Sequence, residues 1–387
     1  MKLALNAFVV AGLLLAVGCG SSTNGPDASQ AAVPTFDGVS AEVTGAPTED
    51  AALTTDGTQT QALSGNAEWL PKIRDAIRSL NEGLKDAFLP VEQLVLTQGP
   101  SQTRGQQNIY GPFEKDGYSY LLLVTRVAGQ HFAWKLEVKK DGDPDTAYLP
   151  FAAGTTFRAP GDGSHRGRGT IGVDLDAYKT VVSTFPGQGK LFVAFSHHEF
   201  GGASAGADAG TDDLKSKTLL YVLKNFSADT SQWQPVDAVF YAHKNGLTGV
   251  TSVRVVAYAD IPEIPNDTPA KELFLGRARF NPGVGGRAEV AVLGGDLGDR
   301  IFFGRECWDA SEMLVFKASA LCQAGEIPGT GTCTWTTSGD PAACRVVLAQ
   351  GEREVVEPSD IDLSTPDSDA PALDLPEAPT AMPSGDN

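Results

Sequence analysis

Hydrophobic residues repeat along the chain with two different periods. Near the start of the folded part, apolar residues at spacings of three and four predict an amphipathic helix over residues 67–89: Leu70, Ile73, Ile77, Leu80, Leu84 and Phe88. Pro90 is expected to end this helix, because proline has no N–H to donate to the backbone ladder. The opposite side of the helix is charged, so we interpret the apolar stripe as a surface that packs on a core.

After this helix the period becomes two, which is typical of half-buried strands. The first such run, HFAWKLEVKK, places apolar and charged side chains on opposite faces. Further runs follow at short intervals: TIGVDLDAY, KLFVAFSHH, TLLYVLKNF, PVDAVFYAH, VTSVRVVAY, KELFLGRARF, RAEVAVLGG and DRIFFGREC. The connections leave little room for crossover helices. The sequence therefore predicts a mainly β domain over residues 65–306, an antiparallel meander arranged as a barrel, half-barrel or sandwich.

Residues 307–350 suggest a small α/β region. Asp309 precedes Glu312 by three residues, a spacing typical of a capping box, and this predicts a helix over residues 310–323. Asp340 followed by Pro341 predicts the start of a second short helix. A strand is expected between them, near CTWTT.

Four cysteines, Cys307, Cys322, Cys333 and Cys344, lie in this region. Their spacing does not contain a C-x-x-C zinc motif, and an exported chain would form disulfides from them. If residues 310–323 are helical, Cys307 and Cys322 lie roughly 20 Å apart, too far for a bond. This favours Cys322–Cys333 with Cys307–Cys344, while the crossed pairing stays open.

Charge is concentrated outside the β domain. Of the net charge of −18, residues 1–19 carry +1, residues 20–64 carry −6 and residues 351–387 carry −9, whereas residues 65–350 carry only −4. Both flanking segments are poor in aromatic residues, so we expect a disordered tether over residues 19–64 and a disordered, Pro-rich acidic tail over residues 351–387. The folded part lacks the strongly basic character of a nucleic-acid-binding protein, and we predict no nucleic-acid partner.

The N-terminus has the features of a lipoprotein signal peptide. Lys2 precedes an apolar run that is too short to span a membrane, and the run ends in AVGC. Ala16, Val17, Gly18 and Cys19 resemble the lipobox of bacterial lipoproteins, with Leu15 one place further upstream than the family prefers. The resemblance implies cleavage after residue 18, acylation of Cys19 and a membrane partner bound through that lipid. Gly20 stands where inner-membrane lipoproteins often carry Asp, which by resemblance points to the outer membrane.

Two patterns would support an exported hydrolase as the alternative function. GASAG matches a nucleophile elbow with Ser204 at its centre and His243 downstream, but a strand is expected where the elbow requires a helix. SHHEF places His197 and Glu199 on one face of a strand, where His165 or His131 would have to complete a metal site. Neither pattern is complete, so we predict no catalytic residue, no metal ligand and no cofactor.

Two further motifs have simpler structural explanations. GRGTIG, over residues 167–172, has dinucleotide-motif spacing but follows a polar turn instead of a strand. DGDPD offers Asp141, Asp143 and Asp145 but lacks the glycine and final glutamate of a calcium loop. We interpret the first as the start of a strand and the second as a hairpin turn.

The sequence thus predicts a lipid-anchored envelope protein with a non-catalytic β domain that binds an apolar or carbohydrate ligand or serves envelope structure. A helix leading into a long meander is broadly similar in architecture to the half-barrel lipoprotein carriers of the bacterial envelope, without a shared motif.

Overall fold

Fifteen strands and three α-helices make up the described part of the protein. The computed structural model describes residues 33–41, 67, 69–97, 99–157, 167–199, 215–231, 234–245, 249–261, 270–281 and 283–344. The helices are α1 (Phe36–Val39), α2 (Trp69–Thr97) and α3 (Leu175–Val181). The strands are β1 (Gln102–Arg104), β2 (Gln107–Lys115), β3 (Tyr118–Ala128), β4 (His131–Lys140), β5 (Leu149–Phe157), β6 (Arg168–Asp174), β7 (Gln188–Glu199), β8 (Lys215–Ser227), β9 (Val236–Lys244), β10 (Thr251–Ala259), β11 (Glu272–Asn281), β12 (Gly285–Gly294), β13 (Arg300–Asp309), β14 (Leu314–Gln323) and β15 (Thr336–Gly339).

The strands form one antiparallel meander in which each strand pairs with its neighbours in sequence, from β1 to β15. This confirms the predicted mainly β fold and its antiparallel order. Alternation decides which side chains are buried: on β4, Phe132, Trp134, Leu136 and Val138 are at most 1 % exposed, while the residues between them are partly exposed. We call the face that carries these four residues the inner face, and the opposite side the outer face.

Helix α2 covers the inner face, because its apolar stripe is buried there. Leu70, Ile73, Ile77, Leu80 and Leu84 are all nearly inaccessible and belong to one core with residues from β2 to β13. At its start, the Trp69 ring lies 6.1 Å from Phe274 and 6.2 Å from Phe302. The helix also contacts β2 and β3. It therefore bridges early and late strands of the meander across the inner face.

A buried carboxylate from the sheet fixes the start of α2. Glu306 on β13 is fully buried and accepts hydrogen bonds from the backbone N–H groups of Trp69 (2.7 Å) and Leu70 (3.1 Å). The first N–H groups of a helix have no partner within the helix, and a negative charge there also interacts favourably with the helix dipole. Glu306 thus performs the capping role that local sequence usually supplies.

The end of α2 differs from the prediction. The helix continues through Pro90 to Thr97, so the expected termination at Pro90 is wrong. A proline inside a helix removes one backbone hydrogen bond and bends the axis, but the ladder on either side can persist. Among the described helices, none combines the length and the apolar character that crossing a bilayer requires.

The predicted α/β character of residues 307–350 is also wrong. The expected helix over residues 310–323 is strand β14, and β13 runs through residue 307 into the same sheet. The Asp309 side chain does accept hydrogen bonds from the backbone N–H groups of Ser311 (2.8 Å) and Met313 (3.0 Å). However, both residues belong to the β13–β14 turn. An Asp side chain satisfies a turn as readily as a helix start, which explains the misreading.

The second predicted helix is present only as a short turn. Asp340 accepts from the Ala342 N–H at 2.8 Å, and Pro341–Ala343 form a 3₁₀ turn. Residues 345–350 lie outside the described residues. The strand expected near CTWTT is β15.

Two disulfides attach residues 324–344 to the outer face of the sheet. Cys307 on β13 pairs with Cys344 (Cα–Cα 5.4 Å), and Cys322 on β14 pairs with Cys333 (5.0 Å). This is the pairing that the sequence favoured, although the helix invoked for it is absent. Cys307 and Cys322 lie near opposite ends of the β13–β14 hairpin, since Cys307 is opposite Phe316 and Cys322 is opposite Ile301. Six residues of extended strand span roughly 20 Å, which keeps them apart.

Residues 33–41 contradict the expectation of a disordered tether over all of residues 19–64. Val33, Val39 and Ala41 are at most 3 % exposed and belong to the main core. This segment includes α1 and contacts both α2 and β7. We call residues 33–41 the docked segment. Cys19, the signal peptide, most of the predicted tether and the acidic tail lie outside the described residues.

Candidate functional site

Two of the histidines that suggested a metal site, His197 and His131, lie on opposite faces of the sheet. His197 follows Phe195 on the inner face of β7, with 5.9 Å between the two rings. His131, next to the inner-face residue Phe132, is on the outer face of β4. Glu199 is the last residue of β7, opposite Lys215. Among the described residues, no three His, Cys, Asp or Glu side chains converge as metal ligands.

His243, the base suggested for Ser204, is on the outer face of β9. Its Nδ1 lies 2.9 Å from the Thr218 hydroxyl on the neighbouring strand, and burial lowers the pKa of the imidazole. A histidine with a lowered pKa is neutral at pH 7. Ser204 and His165 lie outside the described residues, so the hydrolase alternative stays a sequence prediction.

The two glycine- and aspartate-rich motifs are structural. Residues 168–172 of GRGTIG lie within strand β6, which pairs with β5 and β7. Strand β6 ends at Asp174, whose side chain accepts from the Ala177 N–H at 2.9 Å and starts α3. In DGDPD, the Lys139 amine lies 2.8 Å from the Asp145 carboxylate and 2.8 Å from the Asp143 carbonyl, which closes the turn between β4 and β5.

Three glutamates are buried almost completely, and two of them accept hydrogen bonds from backbone N–H groups. Glu306 caps α2, as described above. Glu272 accepts from the N–H groups of Ile261 (2.8 Å) and Asp296 (2.9 Å), so its carboxylate joins two inter-strand connections. The third, Glu289, lies among arginines on the outer face. Their partners explain how these carboxylates are tolerated in the interior.

A concavity lies between the docked segment and α2. It has a volume of about 360 Å³ and is lined by Phe36, Ala41, Arg74, Ile77, Arg78, Asn81, Glu82 and Lys85. We call it the segment groove. The helix residues that line it recur at spacings of three and four, so they form one stripe along α2. A volume of this size falls within the range of small-molecule sites.

Hydrogen bonds to backbone groups hold the wall of the groove formed by the docked segment. Asn81 accepts from the Ala41 N–H (3.0 Å) and donates to the Ala41 carbonyl (2.8 Å). Tyr221 donates to the Val39 carbonyl at 2.6 Å, and Lys217 donates to the Ser40 carbonyl at 2.6 Å. Burial raises the pKa of Tyr221 well above its usual value, so its hydroxyl remains a donor. The groove is therefore a preorganised part of the fold.

The far end of the groove is tied to the sheet by an ion pair. Arg74 contributes to the groove wall and pairs through two nitrogens with Glu312 in the β13–β14 turn, one contact measuring 2.6 Å. In contrast, Arg78 is exposed and pairs with Asp75 one turn earlier in the same helix, at 3.0 Å. Arg78 and Glu82 consequently line the groove without supporting its architecture.

Sequence reasoning missed the segment groove because it assigned residues 33–41 to the tether. A signal was present: Phe36 is the one aromatic residue between residues 20 and 64, and Val33 and Val39 flank it at a spacing of three. Such a cluster gains enough from burial to order a short segment. Compared with protein-family models, with curated proteins and with solved structures, the chain matches none.

Proposed function

We propose that this protein is a lipid-anchored protein of the bacterial outer membrane, with a non-catalytic β domain that binds a carbohydrate in the segment groove. The anchor rests on the lipobox-like residues that end at Cys19. The binding role rests on the groove itself, a preformed concavity of about 360 Å³ beside the docked segment.

The groove offers the mixture of groups that saccharide recognition requires. Phe36 supplies an aromatic surface, and Arg78, Glu82 and Lys85 supply donors and an acceptor along one stripe of α2. Sugar hydroxyl groups both donate and accept hydrogen bonds, so they are satisfied by a wall that contains both kinds of partner. This composition favours a carbohydrate over an acyl chain.

The packing of the inner face also favours a polar ligand. An apolar ligand would need an apolar cavity, which in a half-barrel the inner face of the sheet would have to provide. Here the apolar stripe of α2 packs on that face, with Leu80 and Leu84 at most 3 % exposed. An acyl chain would enter only by displacing α2 and exposing its core residues, at a cost of about 25 cal/mol for each Å² of apolar surface.

Glycan binding by full-length protein tests the ligand. We expect one class of envelope oligosaccharide, peptidoglycan fragments or lipopolysaccharide core sugars, to bind in titration calorimetry. The double variant Arg78→Gln/Glu82→Gln should weaken that binding about tenfold, because it replaces two charge-assisted hydrogen bonds by weaker neutral ones. Lys140→Gln, an exposed change at the end of β4, is the matched control and should have no effect.

Native mass spectrometry of protein purified from its own membranes supplies the opposing result. Stoichiometric co-purification of an acyl lipid other than the anchor, together with no glycan binding, would contradict the carbohydrate proposal. If no glycan and no lipid binds, the groove has no ligand role and the domain serves envelope structure.

The anchor is tested separately by Cys19→Ser. The lipobox resemblance requires the Cys19 thiol to carry the lipid, so the variant should lose labelling by a fatty-acid probe and leave the membrane fraction. A variant that is still labelled and still sediments with the outer membrane would overturn this part of the proposal.

A further inference from the structure

A cluster of arginines lies on the outer face of β10 to β13, on the side of the sheet opposite α2. The register places Arg254, Arg277, Glu289 and Arg305 directly opposite one another on successive strands. The adjacent row contains Arg279 opposite Arg287. Directly paired residues and residues two apart share one face of a sheet. Five arginines and one glutamate therefore occupy two neighbouring rows, which we call the arginine cluster.

Three of these arginines share one buried carboxylate. Glu289 is 2 % exposed, and its oxygens lie 2.5 Å from Arg277, 2.6 Å from Arg287 and 2.9 Å from Arg305. Arg277 itself is only 8 % exposed. Charges in such surroundings interact more strongly than in water, so three cations around one anion repel each other unless further negative charge is near.

The cluster also contains a buried N–H donor that forms no hydrogen bond within the described residues. The Nε atom of Arg287 is buried and has no hydrogen-bond partner within the described residues. A buried donor of this kind is costly unless it is satisfied. Oxyanions suit the cluster, because guanidinium groups bind carboxylate and phosphate oxygens through charge-assisted hydrogen bonds.

The chain leaves the described structure next to this cluster. Arg287 is directly opposite Cys307, and Cys307 is bonded to Cys344 with 5.4 Å between their Cα atoms. Residues 351–387 contain ten acidic residues and one arginine, beginning with Glu352. Seven residues lie between Cys344 and Glu352, and the eight steps of the chain that join the two reach at most about 28 Å. The first acidic residues of the tail can therefore reach every arginine of the cluster.

We propose that the arginine cluster is an anion-binding site and that the acidic tail of the same chain is its occupant. Attachment at Cys344 gives tail carboxylates an effective concentration in the millimolar range at the cluster. Binding by several carboxylates to several guanidinium groups does not need an ordered tail conformation. The tail shields the cluster from other anions, and high salt or a competing polyanion releases it.

A peptide-competition experiment tests this with full-length protein. The probe is a fluorescent peptide of residues 351–369, followed by anisotropy in 20 mM salt. The first variant neutralises the near end of the tail: Glu352→Gln, Glu354→Gln, Glu357→Gln, Asp360→Asn and Asp362→Asn. Because its own tail no longer competes, this neutral-tail protein should bind the peptide at least tenfold more tightly than the natural chain.

The matched control neutralises five acidic residues of the N-terminal region: Asp27→Asn, Glu42→Gln, Glu49→Gln, Asp50→Asn and Asp56→Asn. It changes the net charge equally and should bind the peptide as weakly as the natural chain. Arg254→Gln with Arg279→Gln, placed in the neutral-tail protein, should lower peptide affinity about tenfold. These two changes leave the three arginines that pair with Glu289 in place, and a circular dichroism spectrum will verify that the variant is folded.

The proposal is overturned if the natural and neutral-tail proteins bind the peptide with equal affinity. It is also overturned if the two arginine changes leave the peptide affinity of the neutral-tail protein unchanged. Inorganic phosphate tests whether the cluster binds a free anion instead of the tail. If 10 mM phosphate binds to the neutral-tail protein in calorimetry while the peptide does not bind, the cluster serves an external oxyanion and the tail is not its occupant.

Discussion

Residues 33–41 and residues 324–344 come from opposite ends of the chain and cover opposite faces of one sheet. The docked segment lies on the inner side through buried apolar residues and hydrogen bonds to Asn81, Lys217 and Tyr221. Residues 324–344 lie on the outer side, where Trp335 packs beside both disulfides. The docked segment is held non-covalently and detaches by local unfolding. Residues 324–344 are held covalently and are released when the disulfides are reduced.

The difference follows from what each segment can bury. The docked segment contributes Val33, Val39 and Ala41 to a core shared with α2 and many strands. Residues 324–344 contain few buried side chains, chiefly Cys333 at 2 % exposure, and most of the others are exposed. A segment with so little apolar burial cannot offset its ordering entropy without a covalent link. The disulfides are therefore needed on the outer face and unnecessary on the inner one.

The largest expected effect comes from breaking the outer attachment. Cys307→Ala with Cys344→Ala opens a loop of 37 residues and should lower the free energy of unfolding by about 4 kcal/mol. Cys322→Ala with Cys333→Ala opens a loop of 11 residues and should cost about 3 kcal/mol. Urea unfolding measures both. A larger loss for the shorter loop would contradict this ordering.

In the inner attachment, Asn81 binds both backbone groups of Ala41. Asn81→Ala leaves both backbone groups of Ala41 without their partner and should cost about 2 kcal/mol. Lys85→Ala, an exposed change one turn further along α2, is the control. The free energy of unfolding of the Lys85→Ala protein in urea should stay within roughly 0.5 kcal/mol of the natural chain's value, the ordinary range for surface substitutions. Equal effects of the two changes would show that the docked segment does not depend on Asn81.

Tyr221 makes a smaller contribution to the same attachment. Tyr221→Phe removes the hydroxyl that donates to the Val39 carbonyl while preserving the buried ring, so a loss of about 1 kcal/mol is expected. Tyr241→Phe on the outer face, where the ring is 36 % exposed, is the matched change and should be nearly neutral. A Tyr221→Phe protein as stable as the natural chain would show that this hydrogen bond is not needed.

The smallest effect concerns pH and the outer face. Burial lowers the pKa of His243 in the folded protein, so the unfolded chain binds its proton more readily. Stability from this residue is present above the unfolded pKa of about 6.5 and is lost as pH falls below it. His243→Gln should therefore reduce the fall in melting temperature between pH 7.5 and pH 5. If the fall in melting temperature is the same in the variant, His243 does not contribute to the pH dependence of stability.

Local sequence predicted β4 and β6 to β13 because their period is visible within ten residues, although the last residues of the run TIGVDLDAY begin helix α3 instead of continuing the strand. It failed where one residue type serves two structures, as at Asp309, whose side chain closes a hairpin. The alternation of Phe316, Ala318, Ala320 and Cys322 was the better signal there. The start of α2 depends on Glu306, more than 230 residues away in sequence, and the arginine cluster forms only across paired strands. The pairing register of the strands cannot be predicted from a single sequence.

Hydrogen exchange under oxidising and reducing conditions tests the comparison of the two segments most directly. With disulfides intact, the amides of Ser40 and Ala41, which donate to Phe36 and Asn81, should be protected, as should those of Cys333 and Asp340. After reduction, the amides of residues 327–340 should lose protection while those of residues 38–41 retain theirs. Unprotected amides at residues 38–41 in the native protein, or equal loss in both segments on reduction, would contradict the account.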